Sequence, residues 1–361
     1  MEEILYWFWL CGLSGVSYKR RRTLLQMFES PKTIFKVDTQ KINALTFLSD
    51  TEKAAIIDYR NEKHIETEYE HFIKQGYQFV TENSKEYPRR LKTLYDSPIG
   101  LYYAGKLPDD DKPAIAIVGA RSCSGGGRSL ARHFSTVLSN AGIQVISGMA
   151  LGIDGAAHRG AIESGMDTYA VIGSGLDICY PKENRDIYEI LPKRGGLISE
   201  YPVGEKPVSW HFPMRNRLIA AFADRVLIVE ARKRSGSLIT ADLALEQGKD
   251  VLAVPGRGTD LLSEGCLDLI RNGAKLVTKP EDILEDYALE TVNLKKNNIC
   301  LDKSEKLVYS SLCLIPKYIE DICRELHIDI SECATVLYKL EHMGLIRQVY
   351  RGQYVRNSLF H

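Results

Sequence analysis

The sequence predicts an α/β protein built on an extended, Rossmann-like parallel sheet, with helical units on either side. Three observations carry this. Between about 113 and 286, short apolar runs alternate with helical stretches. Glycines cluster where those runs end, and the last sixty residues read as three helices and a hairpin. Buried strands separated by helices imply a parallel sheet covered on both faces.

In chain order, residues 1–110 carry mostly helical apolar spacing, as in Ile56-Ile57 to Tyr59, then Ile65 and Tyr69. Within them Leu13-Ser14-Gly15-Val16-Ser17 precedes the basic run Lys19 to Arg22. This turn is read either as a plain helix connector with a solvated basic face or as a helix-hairpin-helix (SAM-like) element. The latter holds a phosphate on backbone N–H groups. Residues 111–288 form the expected sheet domain. Its strands are Ala114 to Val118, Gln144 to Ser147, Thr168 to Ile172, Leu197 to Tyr201, Val226 to Val229 and Val251 to Val254. Helices are expected near Gly127 to Asn140 and Asp154 to Ser164. Residues 289–302 are polar and unpatterned, which reads as a linker. In 303–361, helices at Ser304 to Cys313, Lys317 to His327 and Ser331 to Met343 precede a hairpin turned at Arg351-Gly352, the outline of a winged helix.

Composition narrows the classes. Of 361 residues, 44% are hydrophobic, enough for real cores and too many for a disordered chain. Lys plus Arg and Asp plus Glu both total 47, which excludes binding by bulk charge and leaves room for a local basic groove. A basic leader with a small-residue cleavage site is not found at the start, and no apolar stretch reaches membrane length. Eight scattered cysteines lack a CxxC pair or zinc spacing. The expectation is a reduced, cytoplasmic protein that holds no metal.

Glycine-rich loops follow the first three strands. They are Gly119-Ala120-Arg121-Ser122 running on to Gly127, Ser147-Gly148-Met149-Ala150-Leu151-Gly152, and Gly173-Ser174-Gly175. Small residues let backbone N–H groups approach an anion, and ligands bind such sheets at the carboxyl ends of the strands. A dinucleotide is not indicated. The first loop is not GxGxxG, and no acidic residue ends the second strand. Arg121 stands in the loop instead, a fork suited to phosphate. Lys182, in Tyr180-Pro181-Lys182-Glu183-Asn184, and Arg215 and Arg217, flanking Asn216, are expected on the same edge. Tyr180, Trp210, His211 and Phe212 lie near them in sequence. Cations interleaved with rings describe a single-strand groove.

Catalytic patterns are weaker. Asp154 and His158 share a helix face, but a third metal ligand is missing. Asp154 is expected to cap its helix and His158 to bond within the protein. There is no G-x-S-x-G elbow, and Ser235 before Gly236-Ser237 reads as a helix N-cap. No catalytic residue and no cofactor is expected. The alternative, a nucleotide-metabolism hydrolase of the same fold, would need a poised carboxylate, with Glu230 or Asp177 as candidates.

The chain resembles the DNA-processing protein A family (DprA or Smf). The resemblance rests on Val118-Gly119-Ala120-Arg121, Ser147-Gly148-Met149-Ala150 with Gly152-Ile153-Asp154 and Ala157-His158-Arg159-Gly160-Ala161, Tyr180 to Asn184, Phe212-Pro213-Met214-Arg215-Asn216-Arg217, Ser235 to Ala241, and Ala253-Val254-Pro255-Gly256. It implies a non-enzymatic, homodimeric protein that binds single-stranded DNA, protects incoming strands in natural transformation and loads the RecA recombinase onto them. The family's strand-binding arginine falls on Arg121, its lysine on Lys182, and its basic loop on Arg215 to Arg217. Departures are Gly126 where an aromatic residue is common, Leu151 where a basic one is frequent, and Leu267 where Asn is usual. Glu332 and Glu341 on the third C-terminal helix argue against a major-groove reader.

Overall fold

The amphipathic start of the chain folds as six helices: α1 (Glu3–Gly12), α2 (Tyr18–Phe28), α3 (Pro31–Lys36), α4 (Thr39–Asn43), α5 (Asp50–Asp58) and α6 (Glu62–Lys74). Each of α2 to α6 begins at a Ser, Asp or Asn whose side chain accepts from a backbone N–H of the first turn. Then come β1 (Tyr77–Thr81), α7 (Arg89–Lys92) and β2 (Gly100–Gly105). The expected alternation follows as β3 (Ala114–Val118), α8 (Gly125–Asn140), β4 (Gln144–Ser147), α9 (Ile153–Glu163), β5 (Thr168–Ile172), α10 (Arg185–Ile190), β6 (Gly195–Ser199), α11 (His211–Phe222), β7 (Arg225–Ile228), α12 (Gly236–Glu246), β8 (Asp250–Ala253), α13 (Glu264–Arg271), β9 (Lys275–Leu276) and α14 (Glu281–Leu284). This computed structural model describes residues 1–287, 301–313 and 315–356. Most of the expected linker lies outside the described residues.

Nine strands make one sheet in the order β1-β2-β6-β5-β4-β3-β7-β8-β9. From β6 to β9 every pairing is parallel. The chain leaves β3 toward β4 in one direction and later returns to its other side as β7, so the order switches at β3 and β7. One face is covered by α8 and α9 over Ile115, Ile117 and Val145, and by the N-terminal helices over Tyr102, Ala170 and Leu197. The other face packs Ala116, Ile146 and Val171 under Leu218 to Phe222 of α11 and Ala241 and Ala244 of α12.

The structure corrects the sequence reading of the large sheet in two places. Residues 77–105, grouped there with the N-terminal helices, supply β1 and β2, which join the sheet antiparallel to one another and to β6. Strand β6 also starts earlier than expected, at Gly195-Gly196. Here glycine is not a breaker. A Cβ at Gly196 would run into the Lys106 carbonyl oxygen of the loop after β2.

The last described region holds α15 (Lys303–Ser311), β10 (Lys317–Tyr318), α16 (Ile319–Leu326), α17 (Ile330–His342), β11 (Ile346–Tyr350) and β12 (Gln353–Arg356). Its strands pair antiparallel in the order β10-β12-β11, and Val308, Ile322, Leu337 and Leu340 form its core. Among the described residues no helix is long and apolar enough to cross a membrane, and every cysteine is free.

Candidate nucleic-acid interface

A crevice of about 690 Å³ opens at the carboxyl ends of the parallel strands, where the order switches between β3 and β7. Its walls are the loop after β3 (Gly119 to Ser122), the start of α11 with Phe212, Arg215 and Asn216, and the loop from Arg232 to Ser237 that leads into α12. The topological switch point is where open parallel sheets place their ligands.

The loops are held from behind by groups with no freedom to spare. Ser124 N-caps α8, accepting from Gly127 N at 2.8 Å, and its Oγ donates to Glu230 Oε1 at 2.6 Å. Ser124 N donates to Glu230 Oε2 at 2.8 Å. The Glu230 carboxylate therefore sits at the N-terminus of α8, so close that a Cβ at Gly127 would collide with it. The next loop turns through Met149, which is buried with φ 55°. That left-handed conformation is costly for a side-chain-bearing residue. Asp154 Oδ2 offsets the cost by accepting from Gly148 N at 3.1 Å and Ala150 N at 3.4 Å. Asn184 Nδ2 adds bonds to the Met149 and Ala150 carbonyls at 3.0 and 2.9 Å.

Asp154 is thus not the cap of its helix. Gly152 holds that position, and Asp154 lies in the first turn, bracing the preceding loop. Burial raises the Asp154 carboxyl pKa, and the Arg215 charge opposes the rise. Burial in turn lowers the Arg215 guanidinium to about 10, still charged at neutral pH. Arg215 Nη1 donates to Gly148 O at 2.9 Å and also bonds Val171 O. It is a buried support that also lines the crevice. A side chain at Gly148 would strike both Asp154 and Arg215.

Gly152 is a tight point where the clash is with backbone. Its φ is +77°, and a Cβ would run into the carbonyl oxygens of Ala120 and Arg121. Gly152→Ala is expected to cost about 3 kcal/mol, from left-handed strain and overpacking together. It should lower the thermal midpoint and push the Arg121 loop into the crevice; calorimetry beside a DNA mobility shift checks both.

His158 bonds within the protein as expected. Thr168 Oγ1 donates to Val145 O and accepts from His158 Nδ1 at 2.9 Å. Burial pushes this imidazole down to about 3. An unfolded histidine takes up its proton near pH ~6.5. Stability is therefore intact above that pH and falls as pH drops below it, by up to about 1.4 kcal/mol per pH unit. His158→Gln should flatten the denaturation profile over that range.

Charge and rings meet at the mouth. The Arg121 guanidinium lies 5.2 Å from the Phe212 ring centroid, and Arg215 lies 5.8 Å from it. Tyr180, exposed, packs its ring 5.5 Å from Phe212. Arg121, Arg232 and Arg234 are exposed and have no ion pair among the described residues. Arg232 and Arg234 were missed in the sequence; their signal is the run Arg232-Lys233-Arg234 before the Ser235 cap, which accepts from Ser237 N at 3.3 Å. Asn216 lines the crevice and reaches Gly236 O at 3.4 Å.

Other expected contacts lie elsewhere. Arg217 was expected on this edge, but it is 4% exposed and turns away from the crevice. Its Nε bonds Asp96 at 2.7 Å and its Nη2 bonds Glu200 at 2.7 Å. Two residues along a helix rotate a side chain by about 200°, which carries it to the opposite side from Arg215. Ser147 Oγ donates to Ile117 O at 2.7 Å, and Met149 and Asn184 are buried, so these shape the loops without presenting side chains. Gly173 packs against the Phe212 ring and Gly175 against Pro202 O. Lys182 is exposed, has no ion pair among the described residues, and does not line the crevice. Trp210 is exposed outside it, and His211 is buried against Tyr201 at 3.8 Å. In the N-terminal turn, Arg21 and Arg22 are committed to Leu13 O and Glu82. Asp177 accepts from Gly204 N at 2.8 Å.

A mostly parallel open sheet, with a crevice lined by guanidinium groups and rings at its switch point, defines a Rossmann-like protein. Residues 78–288 match the family of DNA recombination-mediator protein A, and the chain belongs to that family. It is 41% identical over 228 residues to DNA processing protein DprA of Streptococcus pneumoniae, covering 63% of this chain and 80% of that protein. It is 34% identical over 287 residues to Protein Smf of Synechocystis, covering 78% and 72%. The X-ray structure of the pneumococcal DprA superposes with a TM-score of 0.66 at 34% identity, over 80% of this chain and 99% of that one. That of DNA processing protein A from Helicobacter pylori, described for its single-stranded DNA binding mode, superposes with a TM-score of 0.53 at 28% identity, over 59% and 95%.

Proposed function

We propose that this chain binds single-stranded DNA at the switch-point crevice and acts as a recombination mediator. In this reading it protects incoming strands during natural transformation and loads RecA onto them, as a cytoplasmic homodimer. The observation that carries the reading is the grouping of Arg121, Arg232 and Arg234, exposed and without an ion pair among the described residues, in one crevice with the Phe212 and Tyr180 rings. Phosphates meet the cations and bases stack on the rings. The crevice's own carboxylate, Asp154, is spent on loop N–H groups and Arg215, so it does not repel a strand. We read the C-terminal helices and hairpin as a winged helix that contacts protein or a DNA backbone. The N-terminal helices are read as a SAM-like unit.

We assign binding and no catalysis. Glu230 is engaged at the α8 N-terminus and Asp177 with Gly204 N, so neither candidate carboxylate is poised over the crevice. The test is a titration with oligothymidylate and with duplex of matched length, with molecular mass followed in parallel. Tight binding of the single strand by a dimer supports the reading. Preference for a duplex, or release of base from nucleoside monophosphates, overturns it.

A further inference from the structure

We propose that the same sheet edge carries a second single-strand site, about four strand spacings from the first, on Lys19, Lys92 and the ring of Tyr95. This rests on the single-strand reading of the switch-point crevice and extends it.

A second cavity, of about 680 Å³, lies between the start of α2 and the segment from Lys92 to Ser97. Its place follows from the register. Thr81 pairs with Gly100, and Tyr102 pairs with Ser199. The residues after β1 and before β2 therefore lie beyond the carboxyl end of β6, on the edge that holds the crevice. From β2 to β3 the order runs through β6, β5 and β4. At about 4.8 Å per step the two sites stand about 19 Å apart along one edge.

The acids of this cavity are already engaged by arginines, Asp96 sharing its partner with the buried side of Glu200. Glu82 is paired with Arg22 at 2.7 Å, and Asp96 with Arg217 at 2.7 Å. Tyr18 Oη and Arg22 Nη2 both donate to Ser97 O, at 2.7 and 2.6 Å, fixing the wall. What is left facing solvent is Lys19 and Lys92, exposed and without an ion pair among the described residues. In the same lining the Tyr95 ring is fully exposed. A single exposed ring is ordinary. A rigidly backed cavity with two uncommitted cations beside such a ring has the make-up of a stacking platform with phosphate contacts. Arg217 links the sites: it holds Asp96 here from α11, the helix whose Arg215 lines the crevice.

The experiment measures affinity against oligothymidylate length by fluorescence anisotropy at several salt concentrations. Lys19→Ala with Lys92→Ala should leave the shortest bound oligomers unaffected. It should stop the rise of affinity at a shorter length and weaken long strands by about tenfold. The salt slope for long strands should fall by about 1.4, at about 0.7 per lost phosphate contact. Tyr95→Ala should weaken long strands by about fivefold or more, and Tyr95→Phe should restore them, since the stacking face is retained. All three side chains are solvent-facing, and unchanged circular dichroism confirms that the variants fold. Alanine at Lys36 and Lys63, exposed on α3 and α6, is the charge control and should move neither curve. Length curves and salt slopes identical to wild type overturn the second site while leaving the first intact, provided Arg121→Ala weakens every length. A wild type that binds no oligothymidylate removes the single-strand reading and this proposal with it.

Discussion

Arg121→Ala should weaken oligothymidylate binding by about tenfold to a hundredfold, with little change in stability. The size is that of a lost charge-assisted contact, about 1.5–3 kcal/mol. The side chain is exposed, has no ion pair among the described residues, and touches the Phe212 ring at 5.2 Å. Losing that contact costs the fold about 0.5–1 kcal/mol. The salt slope should fall by about 0.7. Arg234→Ala should act in the same direction. Lys182→Ala should do less than either, because Lys182 stands off the crevice wall. Anisotropy titrations at several salt concentrations separate these outcomes, and equal losses at Arg121 and Lys182 would contradict the geometry.

Arg217→Ala should behave in the opposite way, costing about 3–5 kcal/mol of stability, because it strands a buried carboxylate. Glu200 is largely enclosed, its side chain 14% exposed, and burial already raises its pKa against the pull of Arg217. Without the guanidinium the charge has lost the partner that holds it at 2.7 Å. Adding Glu200→Gln should recover part of the loss, since the stranded charge is then gone. Chemical denaturation of the two single variants and the double variant gives the coupling directly. A folded, stable Arg217→Ala that simply binds DNA poorly would return Arg217 to the binding surface.

The contrast between these arginines marks how far the sequence could be read. Strands such as Ala114–Val118 and Thr168–Ile172 were legible because fully buried parallel strands are short, continuous apolar runs between glycines. The first loop and Arg121 were legible because the crevice follows from topology. Arg217 was not, because motif spacing reports position along a helix and not which carboxylates wait across a packed interface. Arg232 and Arg234 were not legible, because a short basic run before a helix cap has the same pattern as a solvated surface loop. Strand β1 was lost because this edge strand is half-exposed and its mixed pattern next to helices does not stand out; β2, largely buried between β1 and β6, is a short run bounded by glycines that lies outside the alternation of strands and helices. Of the residues that depart from the family pattern, Gly126 has room for a side chain, with Ser124 Oγ at 3.6 Å from a Cβ there.

The Glu230 carboxylate at the head of α8 has a consequence for selectivity. In many proteins of this architecture the first helix offers its amino end to the phosphate of a soluble nucleotide. Here that berth is filled by the chain's own side chain, covalently attached and always present. Mononucleotides in the surrounding pool meet a helix whose attraction for anions is already satisfied. A polymer does not depend on any single berth, because it gathers many weak grips along the rim. On the proposed single-strand reading, the protein tells a strand from its building blocks by what it has closed off, and adding ATP should leave a bound oligonucleotide in place.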